Sequence, residues 1–160
     1  MNLSTPDLCD AHPDKVQVVT DLHWRSYGGV HAFAGPMETV KCFEDNSRVK
    51  EQLSKPGHGK VLVVDGGGSL RHALIGDQIA ANGAGNGWSG IIIYGACRDV
   101  DVLPGIDFGV MALGSVPLKS VRRGEGQVGL PVAFGRVVFR PDEWIYADAN
   151  GIITAPESLD

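Results

Sequence analysis

No apolar run in this 160-residue sequence is more than a handful of residues long, against the ~20 that a bilayer-spanning helix needs. Cysteine is scarce: Cys9, Cys42 and Cys97 are the only three. Their odd number and irregular spacing fit no zinc or redox motif and point to reduced thiols in a cytosolic protein. Positive charge is short as well, with 14 Lys and Arg against 19 Asp and Glu and a net charge of −5. With no basic tract, direct binding to nucleic-acid phosphates is not expected. The one dense cationic group, Lys119 with Arg122 and Arg123, stands in a glycine-rich loop and reads as solvated surface. Repeats, low-complexity stretches and charge blocks are absent, so the expected organisation is one domain over residues 1–160. Residues 1–20 carry Asp7, Asp10 and Asp14 and two prolines, which is unlike a secretory leader. A soluble, cytoplasmic protein without membrane contact is expected.

Glycine, by contrast, is abundant: 22 of 160 residues, about twice the usual ~7%. Tight turns and close approaches of backbone to a neighbour or ligand are its usual causes. Along the chain, Thr5-Pro6-Asp7 reads as a helix start with Thr5 as cap. Val16–Val19 is a β-branched run and Met37–Phe43 a partly alternating strand. Asn46–Ser54 predicts a helix with Val49 and Leu53 on one face, ended by Lys55-Pro56-Gly57-His58-Gly59. Lys60–Asp65 (KVLVVD) is a continuous apolar run, the mark of a strand buried on both faces. After Gly66-Gly67-Gly68-Ser69, the pattern predicts a helix over Gly76–Ala84, closed by Gly85-Asn86-Gly87, and a second buried strand over Trp88–Tyr94. Residues 60–99 therefore read as a crossover unit with parallel strands. Short strands are predicted at Phe108–Leu113, Val132–Phe134, Val137–Phe139 and Gly151–Thr154, with a turn at Arg140–Glu143. The fold class is α/β with a mixed sheet.

Three features could carry chemistry. The Gly66–Ser69 loop follows a strand as phosphate loops do, but it lacks the Walker lysine and the G-x-G-x-x-G spacing of dinucleotide sites; a tight turn for close packing is the simpler reading. Asp77 falls in the first turn of a helix whose start offers unpaired N–H groups and the positive end of the dipole, a natural receptor for a carboxylate. Taken alone it reads equally as dipole compensation. Arg98-Asp99, with Asp101, follows the second buried strand, at the carboxyl end where ligand sites of α/β sheets gather. From spacing alone that pair is either a surface ion pair or two groups reaching one cleft.

Val61–Ser69 (VLVVDGGGS), Ala73–Asp77 (ALIGD), Trp88–Asp101 (WSGIIIYGACRDVD) and Tyr146-Ala147-Asp148 with Gly151-Ile152-Ile153 together resemble the RraA-like family. That family contains the regulator of ribonuclease activity A and the 4-hydroxy-4-methyl-2-oxoglutarate aldolases. The resemblance covers nearly the whole chain. Leu8-Cys9-Asp10 and Val40–Asn46 are most like the regulator branch. Family members with aldolase activity carry Asp, twenty residues, then Arg-Asp, and here that motif is intact as Asp77, residues 78–97 and Arg98-Asp99. The regulator lacks the first Asp and has Gln after the Arg.

The resemblance implies a swivelling β/β/α-type domain, assembled as a homotrimer, and a divalent-metal-dependent aldolase. Such an enzyme would cleave 4-hydroxy-4-methyl-2-oxoglutarate and decarboxylate oxaloacetate through a shared pyruvate enolate. It implies Asp99 as ligand to Mg²⁺ or Mn²⁺, Arg98 and Asp77 as catalytic groups, and Gly76, Asp77, Gln78 and Ile79 with Arg98 around the 2-oxo acid. The alternative it implies is a non-catalytic inhibitor of an endoribonuclease of the RNase E type. Two departures stand out. Longer aldolases add a C-terminal extension whose glutamate joins a neighbouring subunit's metal shell, and the last glutamate here is Glu157. The acid often found four positions after the arginine is Val102 here, with Asp101 one place earlier. Trp24 and Tyr27 are candidates either for an interface or for ordinary packing.

Overall fold

The computed structural model describes residues 3–160. The strands, in chain order, are β1 (Gln17–Val18), β2 (Arg25–Ser26), β3 (Phe33–Lys41), β4 (Val61–Asp65), β5 (Gly90–Cys97), β6 (Gly109–Ser115), β7 (Gln127–Val128), β8 (Val132–Phe134), β9 (Val137–Phe139), β10 (Trp144–Asp148) and β11 (Gly151–Ala155). The helices are α1 (Thr5–Ala11), α2 (Ser47–Leu53) and α3 (Asp77–Gly85).

The apolar run Val61–Val64 has no solvent exposure at any of its four residues. Period-two alternation splits it between two cores. Leu62 and Val64 face α2 and α3, packing with Leu53, Ala80, Ile91, Ile93 and Phe108. Val61 and Val63 face the other way, onto Ile92, Phe134, Phe139 and Ile145. Fully burying each such aliphatic side chain contributes about 1.5–3 kcal/mol. The result is three layers: helices, a central sheet, and the β8–β9 hairpin stacked against the sheet's second face. Phe134 is the hinge of that second core, its ring stacked 5.0 Å from Tyr94 and 4.3 Å from Phe139 between centroids.

Strands β3, β4, β5 and β6 are mutually parallel neighbours, and β10, β11 and β1 extend the sheet antiparallel beyond β3. The expected crossover is therefore present, as β4–α3–β5 with parallel pairing. Strand β3 begins at Phe33, four residues before the expected Met37. Gly35-Pro36 looks like a break in the sequence, yet these residues pair with Trp144 and Ile145 of β10 while Met37–Lys41 pair with β4. Tertiary pairing overrides the local signal. Strand β5 likewise runs on through Cys97, across an irregularity between Ile93 and Ala96. Strands β2, β7 and β10 were not predicted; the first two have only two residues each, too few to leave a periodic trace.

The ring of Phe33 lies over Gly90 and Gly109, which pair across β5 and β6. A Cβ at Gly109 would fall 2.2 Å from the ring and one at Gly90 2.7 Å from it. Within the chain, Trp24 lies against Phe134 at 5.8 Å between centroids, and Tyr27 sits against the helical core. No helix among the described residues is long and apolar enough to cross a membrane.

At the N-terminus the cap of α1 is Ser4, whose side chain accepts from the Asp7 amide, in place of the expected Thr5. Thr5 is instead drawn into the fold by Asp148, whose carboxylate accepts from the Thr5 amide and hydroxyl at 2.7 Å each and from the Asn150 amide at 2.9 Å. Burial alone would raise this carboxyl, but the bonds from Thr5 and Asn150 outweigh it and hold its pKa below the ordinary aspartate value. Its contribution is thus present above about pH 4 and is lost as pH falls through the lowered folded-state pKa. We predict that Asp148→Ala costs about 2–4 kcal/mol, and that this cost shrinks toward pH 2; equal destabilisation in denaturant melts at pH 2 and pH 7 would contradict it.

Candidate active site

The segment Ala73–Ile75, between the glycine loop and α3, is extended and wedged between two neighbours. Ala73 bridges to Ala96 on one side and to Lys119 on the other. The Leu74 amide donates to Ala96 O, the Arg98 amide to Ile75 O and the Ala73 amide to Leu118 O, at 2.7–2.9 Å. This wedge carries Gly76 and Asp77 to the end of β5, beside Arg98 and Asp99. Asp99 turns sharply there, with φ at 59°. Aspartate tolerates that left-handed region better than most residues. The turn frees its carbonyl to accept the amides of Val102 and Leu103, and it swings the side chain back.

The carboxylate of Asp99 then accepts the Asp77 amide at 2.9 Å through Oδ2. It serves as the cap of α3, whose own N-cap residue, Gly76, has no side chain to do so. The Arg98 Nε stands 4.0 Å from the same oxygen. Both side chains remain about one-third exposed, so this ion pair adds little stability. Gly76 leaves the room for the arrangement: a Cβ there would fall 2.5 Å from Asp99 Oδ2 and 3.3 Å from Arg98 Nε.

These groups open onto one cavity of about 880 Å³, within the range of small-molecule sites. The structure brings all the sequence-predicted site residues into its wall: Gly76, Asp77, Gln78, Ile79, Arg98 and Asp99. Of the two readings of Arg98-Asp99, the common cleft is the one realised. One refinement concerns the helix start. The Asp77 amide is already taken by Asp99, which leaves Gln78 and Ile79 as the first-turn N–H groups without an intrahelical acceptor.

Sequence reasoning missed the opposite wall. Lys119 and Arg122 are exposed, as expected, and in addition line the cavity together with Asn46 and His72. Asn46 is buried, donates to Leu74 O at 3.2 Å and accepts from Arg122 Nε at 3.0 Å. Asp45, also buried, accepts from the Ser47 amide and hydroxyl and from the amides of Arg123 and Glu125. Burial works against its ionisation, but these donors outweigh it and hold its carboxyl below the ordinary range. The 122–125 loop is thereby pinned across 76–80 residues of sequence, and no periodic signal reports such a distant tie. Cys97, next to Arg98, is buried, and burial, with the Asp99 charge adding to it, pushes its thiol up to about 12; it is no nucleophile at neutral pH. The Gly66–Ser69 loop stands outside the cavity lining and is filled by neighbours: a Cβ at Gly66 would lie 2.6 Å from Leu74, and one at Gly68 3.1 Å from Tyr94. Its glycines serve close packing.

Residues 5–154 match the model of the RraA-like family, Aldolase/RraA. This chain belongs to the RraA-like family. It is 66% identical over 159 residues to a protein of Alcanivorax borkumensis named "Putative 4-hydroxy-4-methyl-2-oxoglutarate aldolase", covering 99% of each chain. A Pseudomonas aeruginosa protein of the same name is 57% identical, with 99% of this chain and 98% of that one covered. Among solved structures, a Geobacillus kaustophilus protein described as S-adenosylmethionine: 2-dimethylmenaquinone methyltransferase superposes with a TM-score of 0.95 at 43% identity, over 98% of this chain and 97% of that one. The RNA-processing inhibitor RraA from Thermus thermophilis superposes at 0.94 and 38% identity, over 100% of this chain and 96% of that one. The second match gives the fold as that of RraA.

The geometry predicts a sharp effect at one position. Gly76→Ala keeps an ordinary backbone, since φ there is −134°, but its methyl group would displace Asp99 and Arg98. We expect an unchanged far-UV CD spectrum and any activity of this site reduced on the order of 10²-fold, as for a misplacement of about 1 Å. Wild-type rates in the folded variant would show that the Asp99–Asp77 contact does not matter.

Proposed function

We propose that the protein is a carbon–carbon lyase acting on 2-oxo acids: an aldolase for 4-hydroxy-4-methyl-2-oxoglutarate that also decarboxylates oxaloacetate. The observation that carries the reading is the meeting of Asp77, Arg98 and Asp99 on one cavity wall at the start of α3. The names of the full-length relatives at 57–66% identity support the same chemistry.

The substrate carboxylate docks on the Gln78 and Ile79 amides at the positive end of α3. The Arg98 guanidinium, which stays protonated, faces the keto oxygen. When the C3–C4 bond breaks, its electron pair passes into C3 and the keto group, giving the enolate of pyruvate. The other fragment leaves as CO₂ from oxaloacetate, or as a second molecule of pyruvate once the C4 hydroxyl has passed its proton to the water held by Asp77, which returns it to C3. Arg98 stabilises the negative charge that gathers on the enolate oxygen. Asp77, half-buried at the cavity wall, holds the water that delivers a proton to C3.

The residues suit a hard divalent cation. Asp99 commits Oδ2 to the Asp77 amide, while its other oxygen has no protein donor among the described residues. No cluster of three or more His, Cys, Asp or Glu side chains is arranged for a metal among the described residues. That donor set fits Mg²⁺ or Mn²⁺, which retain several waters and take one or two carboxylates, better than Zn²⁺. Asp99 would hold the ion, which would supply Lewis-acid stabilisation at the keto oxygen.

A second reading, an inhibitor of an endoribonuclease, is favoured by the likeness to the RNA-processing inhibitor at 38% identity. It requires none of the three charged groups. A direct assay separates the two: pyruvate release from each oxo acid, beside a pull-down with the ribonuclease.

We expect Arg98→Ala to abolish pyruvate release and Arg98→Lys to recover little of it, because an ammonium cannot reproduce the planar fork. Asp77→Ala should slow turnover on the order of 10²-fold. Near-normal kinetics in the Arg98→Ala protein would overturn the assignment. A chelator should remove activity and Mg²⁺ or Mn²⁺ restore it; full activity after exhaustive chelation would rule out the metal.

A further inference from the structure

The cavity reverses the charge of the protein that contains it. The chain carries −5 overall, yet the cavity wall holds Arg98, Lys119 and Arg122 against Asp77 and Asp99. In the lyase reading, Arg98 and the α3 amides are occupied with the reacting end of the substrate. Arg122 is not. Its placement is nevertheless enforced by the fold. Asn46 is 6% exposed, and its amide spans two walls, donating to Leu74 O at 3.2 Å and accepting from Arg122 Nε at 3.0 Å. The neighbouring Asp45, 2% exposed, takes the Arg123 amide at 2.7 Å and so fixes the backbone beside Arg122. Arg122 is exposed, yet its Nε is held by a buried amide rather than left to solvent. With Nε bound, the guanidinium swings less freely, and its two terminal amino groups have no protein acceptor among the described residues. Such a fork is shaped for a carboxylate.

On the basis of that lyase reading, we propose that Arg122, positioned by Asn46, receives the second carboxylate of a dicarboxylic 2-oxo acid, and that it makes the site select dicarboxylic over monocarboxylic substrates. In 4-hydroxy-4-methyl-2-oxoglutarate that carboxylate takes no part in bond breaking. In oxaloacetate it is the group that departs as CO₂, and a cation holding it at the far end from the forming enolate binds ground state and transition state to a similar degree. Loss of Arg122 therefore weakens binding of oxaloacetate without slowing its decarboxylation. A merely structural role for Arg122 would not give that split.

The test uses the full-length protein with Mg²⁺ and the variants Arg122→Gln, Lys119→Gln and Asn46→Ala. Calorimetry compares binding of 2-oxoglutarate with binding of pyruvate; steady-state rates are measured with oxaloacetate; deuterium exchange at the pyruvate methyl group reports enolate formation without the second carboxylate. Wild type should prefer 2-oxoglutarate, and Arg122→Gln should weaken that ligand and raise KM for oxaloacetate by roughly 10-fold or more. The kcat for oxaloacetate and the exchange rate should stay within about twofold. Asn46→Ala should move KM in the same direction, and Lys119→Gln, which removes a cavity cation that no buried side chain holds, should move it by less than Arg122→Gln. An unchanged KM in Arg122→Gln, a parallel fall in exchange and decarboxylation, or a wild type that binds both acids equally would overturn the assignment. A wild type that prefers 2-oxoglutarate through Arg122 but releases no pyruvate from any oxo acid would leave the Arg122 assignment standing and remove the lyase reading alone.

Discussion

The hydrogen bond from the Asp77 amide to Asp99 Oδ2, at 2.9 Å, joins two pieces of chain that are 22 residues apart in sequence. It caps a helix whose N-cap is a glycine, and it fixes a carboxylate whose backbone sits in the left-handed region. Asp99 is thus held at both ends, by the turn that its carbonyl nucleates and by the helix that its side chain completes. Gly76 is what permits the approach. Around this contact one wall of the cavity acquires its polarity: helix amides, a guanidinium and a carboxylate with one free oxygen side by side. Preorganisation of this kind, charges fixed before any ligand arrives, is what enolate chemistry demands of a protein.

The central layer is legible in the sequence because its signals are local. A strand buried on both faces must be apolar throughout, and KVLVVD says so without help from the rest of the chain. The α2 face of Val49 and Leu53 and the glycine-marked end of α3 follow from spacing in the same way. The Asp77/Arg98-Asp99 wall is found partly from its place after a buried strand and chiefly through likeness to a family motif. Spacing alone leaves Arg98-Asp99 undecided between ion pair and cleft. The opposite wall is not legible. Arg122 owes its position to a buried asparagine 76 residues earlier, and a basic residue in a glycine-rich loop looks the same in sequence whether it is tethered or free. Strand β3 outruns its local signal for a related reason: Gly35-Pro36 is a break by local rules, and only pairing with β10 makes it a strand.

Proteins named for an aldolase, a methyltransferase and an RNA-processing inhibitor share this architecture at 38–66% identity. The fold therefore does not discriminate among those names. The glycine loop after β4, which follows its strand as phosphate loops do, is packed against Leu74 and Tyr94 and lies outside the lining of the cavity that holds Arg98 and Asp99. The wall opposite Asp99 is built by a loop tied to buried polar groups, so two of the buried Asp and Asn side chains, Asp45 and Asn46, serve to shape the site.

The ring of Phe33, lying over a pair of glycines that face each other on β5 and β6, couples three positions that sequence order keeps far apart. A methyl group at either glycine collides with the ring, and truncating the ring opens a void between two central strands. Neither change is tolerable before the other. Positions 33, 90 and 109 are therefore expected to drift together or not at all, and a lineage that had lost the phenylalanine would show it by the side chains it had regained at the two glycines.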